Sequence, residues 1–150
     1  MLNTGNDSST PTTTVINEII EALNEREAGY RKAADLTRDS EAAELFHKYA
    51  VQSSQFAREL IPYSNEQTPE EVGQSPLSAI FRGWAELKST LTGHDTKGLY
   101  AWCETGEDTA INIYNGAFKA GLPIALKDIV QGQFAEIKEA HGRMKALRDA

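Results

Sequence analysis

Apolar residues recur in steps of three and four along four stretches of this chain, the spacing of one face of a helix. The first stretch reads Ile16, Ile20, Leu23, Glu27, Tyr30, Ala34, and the second reads Leu45, Tyr49, Gln52, Phe56, Leu60. The third gives Leu99, Cys103, Glu107, Ala110, Tyr114, Ala117, and the fourth gives Val130, Gln133, Ile137, Ala140, Met144, Leu147. Each seam carries one polar interruption: Glu27, Gln52, Glu107 and Gln133. No segment alternates apolar and polar residues over a useful length, so no strand is predicted and the fold class is all-α.

Capping residues and breakers set the boundaries. Helix one is expected to start at Thr13 or Thr14 and to run to about Leu36. Asp39 or Ser40 caps helix two, with Glu41 and Glu44 well placed in its first turn, and Pro62 closes it. Tyr63 to Ser75 reads as a polar connector. Ser75 followed by Pro76 is a helix start, and Leu77, Ile80, Phe81, Trp84, Leu87 and Leu91 then mark the face of a shorter helix that ends at Gly93. That helix is expected to cap its own bundle, the alternative being part of a dimer contact. Asp95 or Thr96 caps the next helix, which runs to about Ala120. Gly121-Leu122-Pro123 is a tight break, and the last helix continues to about Arg148. Residues 1–13 read as a flexible tail and 14–150 as one domain.

The turns order the polar positions in space. Glu27 and Gln52 have their midpoint between Asp39 and Ser40, and Glu107 and Gln133 have theirs at Ala120. Residues equidistant from the turn of an antiparallel pair lie level with each other. Each pair of helices is therefore expected to set its Glu opposite its Gln. The prediction is two antiparallel hairpins joined by one long crossover, with a shared polar layer inside. A buried polar layer is costly unless its members are paired.

Three segments carry a resemblance: Glu27-Ala28-Gly29-Tyr30, Phe56-Ala57-Arg58-Glu59-Leu60, and Gly106-Glu107-Asp108 with Tyr114. Over residues 15–148 the chain resembles the ferritin-like superfamily, and within it a bacterial four-helix-bundle family of unknown function. The resemblance implies a ferritin-like four-helix bundle with a metal layer at mid-height. That layer is built from a Glu on each of two helices and Glu-x-x-His on the others. Glu27 and Glu107 take the lone-glutamate positions. In place of Glu-x-x-His stand Gln52-Ser53-Ser54-Gln55 and Gln133-Phe134-Ala135-Glu136, so both histidines and the bridging carboxylates are missing. A di-iron centre active in oxygen chemistry is not expected. The resemblance also implies a stress-associated role.

Two readings of the layer compete. One is a cation site of oxygen donors, Glu27, Gln52, Glu107 and Gln133 with Glu136 as a fifth, holding a divalent metal or iron. The other is a self-satisfied hydrogen-bond layer, in which each Gln amide donates and each carboxylate accepts. The second is favoured, because amide oxygens are weak neutral ligands. Two close carboxylates also repel unless a cation lies between them. Tyr30, Tyr49 and Tyr114 fall on the same seams and are expected to join the network. His47, His94 and His141 belong to no common site, and Cys103 reads as a buried inert thiol. Gly29, Gly106, Gly116 and Gly132 are expected to mark close helix packing.

Composition narrows the partners. With 22 Asp and Glu against 15 Lys and Arg, the chain lacks the basic face that phosphate backbones require, so nucleic acid is not expected. The single cysteine excludes an intrachain disulfide and suits a reducing compartment. The first fourteen residues contain no Lys, Arg or apolar run, so neither a signal nor a membrane span is expected and the cytoplasm is the default. No Ser-His-Asp pattern, phosphate-cradling loop or zinc spacing is present. The leading reading is a non-catalytic accessory bundle. Its rivals are a metal-binding or oxidoreductase protein and a homo-oligomeric scaffold.

Overall fold

The computed structural model describes residues 11–72 and 95–150. Four α-helices fall within them: α1 (Pro11–Leu36), α2 (Ser40–Leu60), α3 (Thr96–Ala120) and α4 (Ile124–Asp149). Two 3₁₀ turns, Ile61–Tyr63 and Pro69–Glu71, follow α2. No strand occurs among the described residues. The expected short helix over residues 76–92 and His94 lie outside the described residues.

Local chemistry accounts for the helix ends. Pro11 opens α1 in the first turn, where its missing N–H costs nothing. The helix therefore begins two residues before the expected Thr13 start and takes in part of the expected tail. Asp39 caps α2 by accepting from the Glu41 and Ala42 amides at 2.9 and 3.1 Å. Asp95 caps α3 by accepting from the Gly98 amide at 3.2 Å. Pro62 closes α2 as expected: the α-helix ends at Leu60 and the chain continues in the 3₁₀ turn Ile61–Tyr63. Gly121, at φ +80°, makes the left-handed exit from α3. The second 3₁₀ turn is held to α1 by the Asn24 amide, which donates to the Pro69 carbonyl at 2.9 Å.

Helix α1 packs against both α2 and α3, and α3 packs against α4, whereas α2 and α4 touch over a much shorter stretch. Cross-contacts give the directions. Arg26 meets Ser53 while Tyr30 stacks near Tyr49 and Phe46, so α1 and α2 run oppositely. Tyr114 meets Gln133 while Asp108 meets His141, so α3 and α4 do too. Arg26 meets Glu107 while Thr37 meets Thr96, which sets α1 against α3 in the same sense.

The apolar interior falls into two compartments. One contains Ile16, Ile20, Leu23, Phe56, Leu60, Ala110, Val130 and Ile137. The other contains Ala33, Phe46, Ala50, Leu99, Trp102, Ala140 and Met144. On each of α1, α2 and α3 the two groups are separated by one buried polar residue, namely Arg26, Ser53 and Glu107.

The seams of α3 and α4 are buried as expected, apart from half-buried Leu147. On α1 and α2 the expected seams are buried except at two positions each. Arg26 and Ala33 are buried where Glu27 and Ala34 were expected, and Phe46 and Ser53 replace Leu45 and Gln52. Gly29 and Gly106 are buried. Gly116 and Gly132 are not close-packed, since an added Cβ at either would meet nothing within 4 Å. Both lie on exposed faces. Among the described residues no helix is long and apolar enough to cross a membrane.

Candidate functional site

The centre of the bundle holds a charge pair. Arg26 of α1 and Glu107 of α3 both have no side-chain exposure. The guanidinium donates from Nε to Glu107 Oε1 at 2.6 Å and from Nη2 to Oε2 at 2.8 Å. This is the fork-to-fork geometry that matches arginine to a carboxylate. The remaining edge donates from Nη1 to Ser53 Oγ of α2 at 2.8 Å, and Ser53 in turn donates to the Tyr49 carbonyl at 2.9 Å. The Tyr30 hydroxyl donates to Glu107 Oε2 at 2.6 Å. Arg26 Cζ also lies 5.3 Å from the Tyr30 ring centroid and 5.7 Å from that of Tyr49, within cation–π range.

Burial and charge act in opposite directions on Arg26. Burial alone would lower its pKa, and the Glu107 carboxylate more than reverses this, so the net displacement is upward. Burial raises the Tyr30 hydroxyl well above its ordinary value, and the neighbouring Glu107 charge adds to it. The Cys103 thiol is raised by the same two causes in the same order. Both groups are thus held neutral, which makes Tyr30 a hydrogen-bond donor and Cys103 an unreactive thiol.

A second polar cluster adjoins the compartment of Ile16 and Val130, to which Tyr114 and Phe56 belong. The Tyr114 hydroxyl donates to Gln133 Oε1 at 2.7 Å. The Gln133 amide donates to the Phe56 carbonyl at 3.1 Å and to Glu59 Oε1 at 2.9 Å. It joins α2, α3 and α4, whereas the Arg26 cluster joins α1, α2 and α3. Burial raises the Tyr114 hydroxyl far above its ordinary value, and the Arg26 charge partly counters this.

The five residues expected to form one layer do not form it: Glu27 and Glu107 stand apart, while Gln52, Gln133 and Glu136 gather around Glu59 at the α2–α4 groove. Glu107 is buried in the first cluster and Gln133 in the second. Tyr114, the partner of Gln133, lies seven residues beyond Glu107 (114 − 107), or about 10 Å along the helix axis. The level rule fails for Gln133 because the break at Gly121 to Pro123 shifts the register of α4 away from an Ala120 midpoint. Glu27 stands at the rim of α1 with its carboxylate accepting from Arg31 at 2.9 Å. Gln52 is part-exposed and donates to Glu136 at 3.1 Å across the α2–α4 groove. Gln52, Glu59 and Glu136 line that groove together, away from Glu107. Among the described residues no three His, Cys, Asp or Glu side chains gather as ligands would.

Arg26 and Ser53 are the members that sequence reasoning missed. Their summed positions equal those of Glu27 and Gln52 (26 + 53 = 27 + 52), so the same turn sets both pairs level. A basic residue adjoining a seam opposite a buried glutamate was the available signal. Among the described residues His47 and His141 share no site: His47 is exposed, and His141 sits at the edge against Asp108 at 2.8 Å.

Fold and site together define an all-α bundle whose centre is crossed by a buried, internally neutralised charge layer. The chain belongs to the DUF2383 family, a domain of unknown function, which matches residues 11–120. The Arg26, Ser53, Glu107 cluster lies wholly inside that match, and α4 with Gln133 lies beyond it. No curated protein and no solved structure matches the chain.

Proposed function

We propose that this protein is a non-catalytic helical bundle of ferritin-like plan, two antiparallel hairpins with one crossover, that serves as a small accessory protein through its outer surface. The helix pairings support the plan: α1 runs against α2, α3 runs against α4, and α1 against α3. The stress-associated role enters only through the ferritin-like resemblance and is part of this proposal.

One observation carries the non-catalytic reading. Both oxygens of Glu107 are already engaged by Arg26, and Tyr30 adds a third hydrogen bond. A metal ion there would have to displace a guanidinium, and it would find no second carboxylate, because Glu27 is paired with Arg31 at the rim. Such a donor set does not suit a divalent metal or iron, which needs several charged oxygen or nitrogen ligands. The test is elemental analysis of the purified protein, with melting curves in the presence of Fe²⁺, Mn²⁺ and Zn²⁺. The expected result is no stoichiometric metal and an unmoved Tm. Stoichiometric metal with a raised Tm, the signature of a ligand bound by the native state alone, would overturn the reading.

A further inference from the structure

The surroundings of the Arg26 guanidinium are organised by groups other than Arg26. Tyr30 Oη orients the Glu107 carboxylate at 2.6 Å. The Tyr49 carbonyl takes the Ser53 hydroxyl proton at 2.9 Å, which leaves the Ser53 lone pairs turned to the guanidinium. The Tyr30 and Tyr49 rings supply two aromatic faces. A planar cation held in this chamber is matched along one edge by a carboxylate fork, along another by a hydroxyl, and on its surface by the rings.

We infer that this chamber, built from Glu107, Ser53, Tyr30 and Tyr49, is a preorganised receptor for a guanidinium cation. Its resident ligand is the chain's own Arg26, which takes the place where the ferritin-like resemblance sets a metal ion. One carboxylate, one hydroxyl and two ring faces supply too few charged oxygens for a divalent metal. They supply acceptors for three N–H groups of a planar monocation and two ring faces for its surface. The inference rests on the metal-free reading of the interior for its location, and on the contacts above for its ligand class.

Arg26→Ala tests it, because this change removes a fragment the size of ethylguanidinium and leaves the receptor groups in place. Ethylguanidinium is added to the purified full-length variant and the Tm is followed, with urea as a neutral planar control and Mn²⁺ as a spherical one. Arg26→Ala is expected to melt below wild type and to regain roughly 3–5 °C at ten times the dissociation constant of the added cation. Wild type stays unmoved, because its receptor is filled. The double variant Arg26→Ala/Glu107→Gln is expected to lose the response.

No response to ethylguanidinium, or an equal response to urea or Mn²⁺, would overturn the inference. Should Arg26→Ala fail to fold, it is refolded from denaturant with and without ethylguanidinium. Recovery of helical, soluble protein only with the cation supports the receptor, and no recovery overturns it. Stoichiometric metal in wild type would sink the non-catalytic reading without touching this response. A missing rescue would sink the receptor and leave the metal result standing.

Discussion

Arg26 and Glu107 meet as a bidentate pair across 81 residues of sequence, and neither side chain has any exposure. Such a pair contributes little net stability, because removing two ions from water costs about as much as their attraction returns. Breaking it is another matter. Glu107→Gln leaves Arg26 charged and uncompensated in the core, and is expected to cost about 3–5 kcal/mol. The triple variant Arg26→Met/Glu107→Leu/Tyr30→Phe removes both charges and the hydroxyl that donates to Glu107, and is expected to match wild type or exceed it by about 1–4 kcal/mol. Glu27→Gln affects only the rim pair with Arg31 and is expected to stay within about 0.5 kcal/mol of wild type. Urea unfolding of the three variants gives the ordering. A Glu27→Gln loss as large as that of Glu107→Gln would mean that Glu27, and not Arg26, belongs to the interior layer.

Three helical glycines and the turn residue Gly121 are expected to respond oppositely to alanine. An added Cβ at Gly116, Gly132 or Gly142 would meet nothing within 4 Å, and none of the three has a positive φ. Alanine there narrows the unfolded ensemble without a steric penalty, so each substitution is expected to stabilise by about 0.5–1 kcal/mol. Gly121 has equally open space but φ +80°, and alanine there is expected to destabilise. Thermal melts of the four single variants check the sign at each position. A loss at Gly116 would show a contact that the exposed face of α3 does not reveal.

Why the sequence revealed one half of the site more faithfully than the other is a question of step size. From Leu23 to Tyr30 the inward face advances seven residues, which divide as three then four through Arg26 or four then three through Glu27. Tyr49 to Phe56 divides in the same way through Gln52 or Ser53. Both divisions satisfy helical periodicity, and only the partner on α3 chooses between them. Glu107 is an anion, so the layer closes on the adjacent cation and not on a second carboxylate. On α3 and α4 the same divisions offer Gly106 or Glu107 and Gln133 or Phe134, only one polar residue in each pair, and Glu107 and Gln133 are both buried. The caps at Asp39 and Asp95 were legible because their side chains act on the next turn alone. Partner choice across 81 residues leaves no such local mark.

Gln133 links three helices through one amide, accepting from Tyr114 and donating to the Phe56 carbonyl and to Glu59. Gln133→Leu fills much of the volume but takes the acceptor from the buried Tyr114 hydroxyl, while the Phe56 carbonyl keeps its bond in the α2 ladder. An unmet buried polar group costs about 1–3 kcal/mol, so this single variant is expected to be destabilised by about that amount. Tyr114→Phe alone leaves only Gln133 Oε1 without its donor and is expected to cost less. In the double variant part of the penalty disappears, because the stranded hydroxyl is gone. A double-mutant cycle is expected to show a coupling of about 0.5–3 kcal/mol, and strict additivity would mean that the bond carries no weight in solution.

Alkaline pH is the condition in which the interior fails. Burial pushes the phenols of Tyr30 and Tyr114 and the thiol of Cys103 upward, from ordinary values of 10.0, 10.0 and 9.0. Above those values the unfolded chain has released protons that the folded chain still holds. The unfolded state then binds fewer protons than the native state, and stability falls as pH rises. Their contribution is complete below the unfolded values and is lost as pH climbs from them toward the folded ones. Each group costs about 1.4 kcal/mol for every pH unit in that window. Arg26, also displaced upward, stays charged throughout and does not oppose the loss. The expected behaviour is a Tm untouched by these groups below about pH 9 and falling steeply beyond about pH 10. Tyrosinate absorbance from Tyr30 and Tyr114 then appears in the same cooperative step as the loss of helical circular dichroism. Cys103→Ala is expected to flatten the onset, since it deletes the group that titrates first in the unfolded chain. Smooth ionisation of these phenols near their ordinary value with the helices intact would mean that water reaches the Arg26 layer.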